Sequence, residues 1–414
     1  MIVQLIFLTA LASSTGVIVT PTEGRNNKAI PDPQAECRSF YADVYAETNS
    51  NIDLKSVIGG PAENQQALTE PIISYFAAGS TLPSQIFAAP TLEVKETYQL
   101  WFEHCRPKSG LVKGVYQTHH GLVGNAGYWN VQGEIQLAVK IGCIDIDYVT
   151  GDGNYTTYSF AENAAANGWG VGRSAHPVGT NTVQMPFEIQ QSISIASALR
   201  EGTLGDIGKL TSIIGIGHSY GSALLTGVSA LSPSTFDAIV LTGFSNNVTE
   251  GPLGLFSFQS TIASVAYPER FAGHPNDYVI TPSQTNDQIE FFHYPNYTQE
   301  ALDSFTSGKG EFPLGQQYSV EFPFTLNREN YTHPVLVITG EKDGVFCSAD
   351  CYITSLDPPA TQLDTTKVMF PSVNNFQTVV LNDTAHGINS HKTAKEAYKR
   401  IFEFVDGLSM GVSE

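Results

Sequence analysis

Short, nearly continuous apolar runs recur along the chain and alternate with segments that have helical spacing. The runs are rich in β-branched residues, which is typical of strands buried on both faces of a parallel sheet. They are Thr211–Ile216, Ala238–Thr242, Pro334–Thr339 and Phe376–Leu381, preceded by two strands with polar alternation, Tyr98–His104 and Lys113–His119. Helical spacing follows at Ser222–Leu231 and Thr393–Val405. The alternation predicts an α/β fold with a mostly parallel central sheet flanked by helices.

A long segment of different character separates the strands at 238–242 and 334–339. It is rich in prolines and in aromatic residues, namely Tyr267, Phe271, Tyr278, Phe291, Phe292, Tyr294 and Tyr297. As a loop it is too long for a compact domain, so it predicts a cap inserted over a pocket; a surface excursion without a role in the site is the alternative. The predicted organisation is a signal peptide at 1–19, a core in two parts at 20–249 and 331–414, and a cap at 250–330.

Composition narrows the function classes. The 414 residues are 15% charged and 42% hydrophobic, as in an ordinary globular protein, and Lys+Arg 21 against Asp+Glu 40 leaves a net charge of −19. A chain with this net negative charge is not expected to bind nucleic acid or an anionic membrane through electrostatic attraction.

The N-terminus predicts secretion. An apolar run ends in Ala10-Leu11-Ala12, which resembles a signal-peptide core and cleavage site, although no Lys or Arg precedes it. A buried first element and a membrane anchor are the alternatives; the polar Ser13 and Ser14 interrupt the run too early for an anchor.

Sequons and cysteines fit an extracellular location. N-x-[ST] sequons begin at Asn154, Asn247, Asn296, Asn330 and Asn382. Cys347 and Cys351 are close enough in sequence to close a small disulfide, and Cys37 with Cys105 is a second predicted pair. Cys143 is then left over, and five reduced, buried thiols remain the alternative.

Gly217-His218-Ser219-Tyr220-Gly221 is the G-x-S-x-G string of the chain, and it joins the strand at 211–216 to the helix at 222–231. In that setting it predicts a nucleophile elbow, a tight turn that projects the Ser219 hydroxyl above the sheet. A Gly-Ser turn without chemistry is the alternative.

A serine nucleophile needs a base, and the base needs an orienting carboxylate. Asp343 follows the strand at 334–339, and His386 follows the strand at 376–381. Their order after the serine predicts a Ser-Asp-His triad; Glu341 and Asp383 are the nearest alternatives for the acid.

The oxyanion donors are predicted to be the backbone N–H groups of Tyr220 and Leu122. Leu122 lies on the loop after the strand at 113–119, where Gly121 lets the backbone approach the substrate closely. We expect Gly121 and His218 to contact substrate, and His119 and His120 to pack under the loop without transferring protons.

No cofactor or metal is implied. Apart from Cys347 and Cys351, no His, Cys, Asp or Glu grouping has the spacing of metal ligands. The run Gly168-x-Gly170-x-Gly172 opens no clear helix and therefore does not predict a nucleotide site.

The elbow, Asp343, His386 and the His120-Gly121 loop resemble the α/β-hydrolase superfamily with an inserted cap. Tyr128-Trp129-Asn130 and the stretches 170–177 and 181–186 are similar to a secreted fungal branch of it. The resemblance implies a serine hydrolase, with an ester or lactone as the expected substrate. The aromatic residues of the predicted cap suggest that the substrate is apolar or aromatic; a well-packed lid is the alternative reading of those residues. The serine nucleophile argues against the epoxide hydrolases and haloalkane dehalogenases of this fold. Amide hydrolysis, a tailoring hydrolase, acyltransferase or cyclase of secondary metabolism, and a catalytically impaired ligand-binding member are the alternatives.

One departure concerns the sheet. Relatives have a helix and then a strand before the elbow, whereas here the helix-like stretch 158–168 runs directly into Trp169–Gly172 without apparent room for a strand. Either the apolar stretch 135–149 fills that sheet position through a changed connection, or the coding sequence was assembled wrongly.

Overall fold

The computed structural model describes residues 35–107, 114–124, 128–129, 169–172, 180–247 and 256–408. Its strands are β1 Ala35–Ile52, β2 Thr91–Pro107, β3 Gly114–His119, β4 Trp169–Gly172, β5 Ile213–His218, β6 Ala238–Thr242, β7 Thr261–Ile262, β8 Tyr278–Ile280, β9 Phe312–Pro313, β10 Val335–Gly340 and β11 Phe376–Leu381. Its α-helices are α1 Lys55–Ile58, α2 Gln65–Phe76, α3 Leu82–Ala88, α4 Met185–Glu201, α5 Tyr220–Leu231, α6 Ala263–Ala266, α7 Pro268–Phe271, α8 Gln284–Phe291, α9 Gln299–Gly308, α10 Leu314–Ser319, α11 Gly344–Cys347 and α12 Ala394–Asp406. Short 3₁₀ helices cover Phe322–Thr325, Gln362–Met369 and Ile388–Ser390.

Eight strands form the central sheet in the order β1-β2-β4-β3-β5-β6-β10-β11. From β4 to β11 every pairing is parallel, whereas β1–β2 and β2–β4 are antiparallel. The prediction of a mostly parallel sheet flanked by helices is confirmed. The long antiparallel β1–β2 pair extends well beyond the predicted strand Tyr98–His104.

The central strands are apolar throughout because both of their faces are covered. Alternate residues point to opposite sides, as the period of a strand requires. On one side, Ile213, Ile239 and Val337 share a core with Leu225 and Val228 of α5. On the other, Ile214, Val240 and Ile338 pack with Ile401 and Val405 of α12.

The expectation of a missing strand before the elbow is wrong. Trp169–Gly172 is itself the strand β4, and it pairs in parallel with β3 and antiparallel with β2. Four residues are enough to form this strand because it pairs on both sides: Val171 lies opposite Tyr116 of β3 and opposite Cys105 of β2. The stretch 135–149 lies outside the described residues, and the sheet position does not need it.

The insertion between β6 and β10 is described from residue 256 onward. It contains the helices α6 to α10 and the small antiparallel sheet β7-β8-β9. Part of it has its own core, formed by Ala263, Phe271 and Ile280. It is therefore folded structure rather than an extended loop.

None of the helices within the described ranges has the length and apolarity needed to cross a membrane.

Candidate active site

The predicted elbow has the strand–turn–helix form. β5 ends at His218 and α5 begins at Tyr220, with Ser219 between them at φ 55° and ψ −115°. Small flanking residues are required, because a Cβ on Gly217 would lie 2.4 Å from the Gly221 carbonyl and one on Gly221 would lie 2.3 Å from the His119 carbonyl oxygen. The positive φ at a non-glycine residue is the strain expected where a side chain is held for chemistry.

Asp343 and His386 form a buried pair at the ends of β10 and β11. Nδ1 of His386 lies 2.9 Å from Oδ2 of Asp343, and both side chains are fully buried. Asp343 also accepts hydrogen bonds from the Thr339 hydroxyl at 2.6 Å and from the backbone N–H groups of Val345 and Phe346. Burial raises the pKa of this carboxyl, but His386 and these donors outweigh it and hold the pKa below its ordinary value.

Asp343, rather than either alternative acid, contacts the histidine. Oε2 of Glu341 accepts a hydrogen bond from the Asp383 backbone N–H at 3.1 Å, and its other oxygen pairs with Lys342. The Glu341 carboxylate is thereby occupied by other partners, and Asp383 is exposed to solvent.

Ser219 and His386 lie against the same end of β6. The Ser219 N–H donates to the Thr242 carbonyl at 2.9 Å, and a Cβ on the next residue, Gly243, would lie 3.1 Å from Cε1 of His386. Nε2 of His386 is buried and has no hydrogen-bond partner within the described part of the chain. Within the described ranges, the serine hydroxyl and this nitrogen are not hydrogen-bonded to each other.

The loop after β3 passes directly over the serine. A Cβ on Gly121 would lie 2.9 Å from Cβ of Ser219, so glycine is needed for this approach. The N–H groups of Leu122 and Tyr220 make no hydrogen bond to any described group. Val123, which follows Leu122, has φ 53°, a strained value for a β-branched residue.

His218 and His119 both contact other side chains near the loop. His218 is 2% exposed, stacks on Tyr128 with ring centroids 4.3 Å apart, and contacts the His386 ring at 4.8 Å. Burial, then His386 and His120, lowers the pKa of His218. His119 contacts the Ser192 hydroxyl, and burial lowers its pKa to about 3. Contact between substrate and His218 or Gly121 stays a prediction.

Two aromatic rings beside His386 were not singled out for the site from the sequence. Phe291 of α8 and Phe346 of α11 lie 5.7 and 5.8 Å from its ring, centroid to centroid. Phe346 follows Asp343 by three residues, a spacing that could have indicated it, whereas nothing local pointed to Phe291. One face of the catalytic histidine candidate is thus covered by the insertion.

Cys347 ends the short helix α11 that Asp343 caps, so the Cys347–Cys351 pair lies next to the candidate site. Cys347 and Cys351 form a disulfide. Cys105 is disulfide-bonded, and Cys37 lies opposite it in the β1–β2 register. Asn330 and Asn382 are exposed and Asn247 and Asn296 are half-buried, whereas Asn154 lies outside the described residues; glycosylation stays a prediction. In the described ranges, no group of three or more His, Cys, Asp or Glu side chains could hold a metal ion.

Comparison with known proteins concerns the fold. No family model and no curated protein matches the sequence. The chain is similar to many solved structures, among them the following three. The first is an α/β-hydrolase fold protein from Chitinophaga pinensis (11% identity, TM-score 0.47, 75% of this chain and 94% of that one). The second is an esterase from Thermogutta terrifontis (11% identity, TM-score 0.45, 75% of this chain and 94% of that one). The third is a monoacylglycerol lipase from Paleococcus ferrophilus (12% identity, TM-score 0.45, 74% of this chain and 98% of that one). At such identities their substrates do not transfer to this chain.

The arrangement of the described elements is specific. The serine stands on a strained turn between a central strand and a helix, and the acid and the histidine follow later strands in the chain order Ser-Asp-His. That arrangement is the α/β-hydrolase fold.

Proposed function

We propose that the protein is a secreted serine hydrolase that cleaves a carboxylic ester or lactone through an acyl-enzyme. Ser219 is the nucleophile, His386 the general base and acid, and Asp343 the residue that orients the histidine. The N–H groups of Tyr220 and Leu122 bind the oxyanion.

The fully buried Asp343–His386 pair beside the elbow carries this proposal. An ionised carboxylate only accepts hydrogen bonds, so Nδ1 of the imidazole must carry the proton that bridges to Asp343. In the neutral ring Nε2 then presents a lone pair, and it is this nitrogen that has no partner among the described residues. Acyl transfer requires this lone pair to reach the serine hydroxyl, and such catalytic hydrogen bonds often tighten only when substrate binds.

The reaction follows from these positions. The Ser219 oxygen attacks the ester carbonyl carbon as its proton passes to Nε2 of His386, and the carbonyl oxygen becomes an oxyanion between the two backbone N–H groups. The C–O bond to the leaving alcohol breaks as Nε2 returns the proton to that oxygen. Water, deprotonated by His386, then attacks the acyl group, releasing the acid and restoring Ser219.

The insertion supports an apolar substrate. It places Phe291 beside the histidine, and Phe346 lies against the same ring, so the reacting centre adjoins aromatic rather than charged surface. In this proposal the insertion is the cap of the active site and the enzyme is extracellular; the leader-like N-terminus and the sequons elsewhere in the chain support that location.

Labelling with a fluorophosphonate followed by mass spectrometry tests the nucleophile. We expect the adduct on Ser219 and none in Ser219→Ala. With p-nitrophenyl esters of increasing chain length, Ser219→Ala should be slower by about 10³-fold or more. Equal rates for the two proteins together with no adduct would refute the proposal. A Ser219 adduct without hydrolysis of any ester would instead favour an acyltransferase or a narrow tailoring enzyme.

A further inference from the structure

The loop that carries Leu122 is hydrogen-bonded to the insertion. The Gly310 N–H donates to the Val123 carbonyl at 2.9 Å, directly after the predicted oxyanion donor. Val123 is 1% exposed and holds a positive φ, a conformation that persists only where the surroundings enforce it. The bond from Gly310 is one such constraint, and it comes from a segment distant in sequence.

Gly310 is itself anchored by a buried ion pair. Nζ of the preceding Lys309 lies 2.9 and 2.8 Å from the two carboxylate oxygens of Asp287, and both side chains are fully buried. The hydroxyls of Thr281 and Thr306 donate to the same carboxylate at 2.6 and 2.8 Å. With four hydrogen bonds from three donor groups the carboxylate is well satisfied, so Lys309 has a defined position and Gly310 with it.

A second contact joins the insertion to the other oxyanion donor. Nε2 of Gln316 on α10 donates to Oε1 of Glu188 on α4 at 2.7 Å, and Oε2 of Glu188 accepts from the hydroxyl of Tyr220. All three side chains are buried. Tyr220, the other predicted oxyanion donor, is therefore held through its side chain. The holding contact comes from the same short stretch of the insertion as Gly310.

We propose that the 309–316 segment of the insertion is a positioning element for the oxyanion hole, with Gly310 holding the Leu122 side and Gln316, through Glu188, holding the Tyr220 side. The proposal rests on the hydrolase function proposed above. It assigns the insertion a part in transition-state stabilisation in addition to covering the site.

Two pairs of variants of the full-length protein test it. Gly310→Pro removes the donated N–H, and Lys309 already has φ −61° and ψ 148°, the backbone that precedes proline readily; Gly310→Ala keeps the N–H and is its reference. Gln316→Met removes the donor to Glu188. Gln317→Met changes the adjacent buried glutamine, which instead accepts from Ser260, and is the reference for that arm.

Hydrogen exchange of the peptide covering residues 119–124 measures how firmly the loop is held, and kcat and KM measure the effect on catalysis. Relative to Gly310→Ala, we expect Gly310→Pro to exchange faster in this peptide and to lose roughly 10- to 100-fold in kcat, with KM within about twofold, since a whole oxyanion donor is worth about 10²–10³. Gln316→Met should lose kcat in the same way, whereas Gln317→Met should lose stability only.

Unchanged exchange in Gly310→Pro would refute the contact, and faster exchange with unchanged kcat would refute the positioning role. A loss of kcat/KM that comes entirely from a higher KM would also refute the positioning role. Wild-type protein without Ser219-dependent turnover would refute the proposed function, and with it the catalytic part of this proposal, while the exchange result still decides whether Gly310 holds the loop.

Discussion

Glu290 is a buried carboxyl on α8 whose protonation should make stability depend on pH between about 4.5 and 8. It is 4% exposed, its carboxylate accepts a hydrogen bond from the Ser257 hydroxyl, and burial, then the charge of Asp343, raises its pKa to about 8. In the unfolded chain its pKa is 4.5. The folded protein therefore binds this proton more tightly, and stability falls as the pH rises from about 4.5 to 8.

The size of the effect follows from the shift. Each pKa unit corresponds to about 1.4 kcal/mol, so the full shift is worth on the order of 5 kcal/mol of unfolding free energy. Glu290→Gln keeps the shape and an oxygen for the Ser257 hydroxyl but cannot ionise. The variant should match wild type near pH 5 and be more stable by a few kcal/mol at pH 9, where wild type carries an unpaired buried charge.

Urea unfolding of wild type and Glu290→Gln at several pH values between 5 and 9 measures this difference. Taking the difference between the two proteins removes the contributions of other groups, among them His218 and His391, whose pKa values are lowered by burial. Glu300→Gln, an exposed carboxylate on the neighbouring helix α9, is the matched control. Parallel curves for Glu290→Gln and wild type across this range would refute the reasoning.

Two further predictions concern the site and its support. Asp343→Asn should lower kcat by about 10⁴-fold with little change in far-UV circular dichroism, because the amide no longer selects the imidazole tautomer; an activity within tenfold of wild type would contradict the role of Asp343. Gly340→Ala should cost about 3 kcal/mol or more in urea unfolding, because its Cβ would lie 2.1 Å from the Thr384 carbonyl oxygen. Gly344→Ala, with open space around its Cβ, is the control, and equal losses in the two would contradict the steric argument.

Much of the core was predictable because its signals are local. A strand buried on both faces must be apolar throughout, so β5, β6, β10 and β11 appear as compact runs in the sequence. The elbow is equally local, since its strained turn demands Gly217 and Gly221 around Ser219. Asp343 could be chosen because it follows a strand of that kind directly.

β4 was missed because only four of its residues pair, and a glycine-rich tetrapeptide carries no hydrophobic period. The sheet neighbours on both sides supply the stability that the segment itself lacks, and those neighbours are far away in sequence. The same holds for β1, which pairs along nearly its whole length with β2.

The sequence by itself determined which residues could do chemistry: a serine on a forced turn, and an acid and a histidine each placed after a buried strand. Only the tertiary structure decided how these groups are supported. It placed Asp287 against Lys309, Gly310 on Val123, and Glu290 within reach of the charge on Asp343. Such contacts leave no local pattern, because the free energy that makes a buried polar group tolerable comes from partners that only folding brings together.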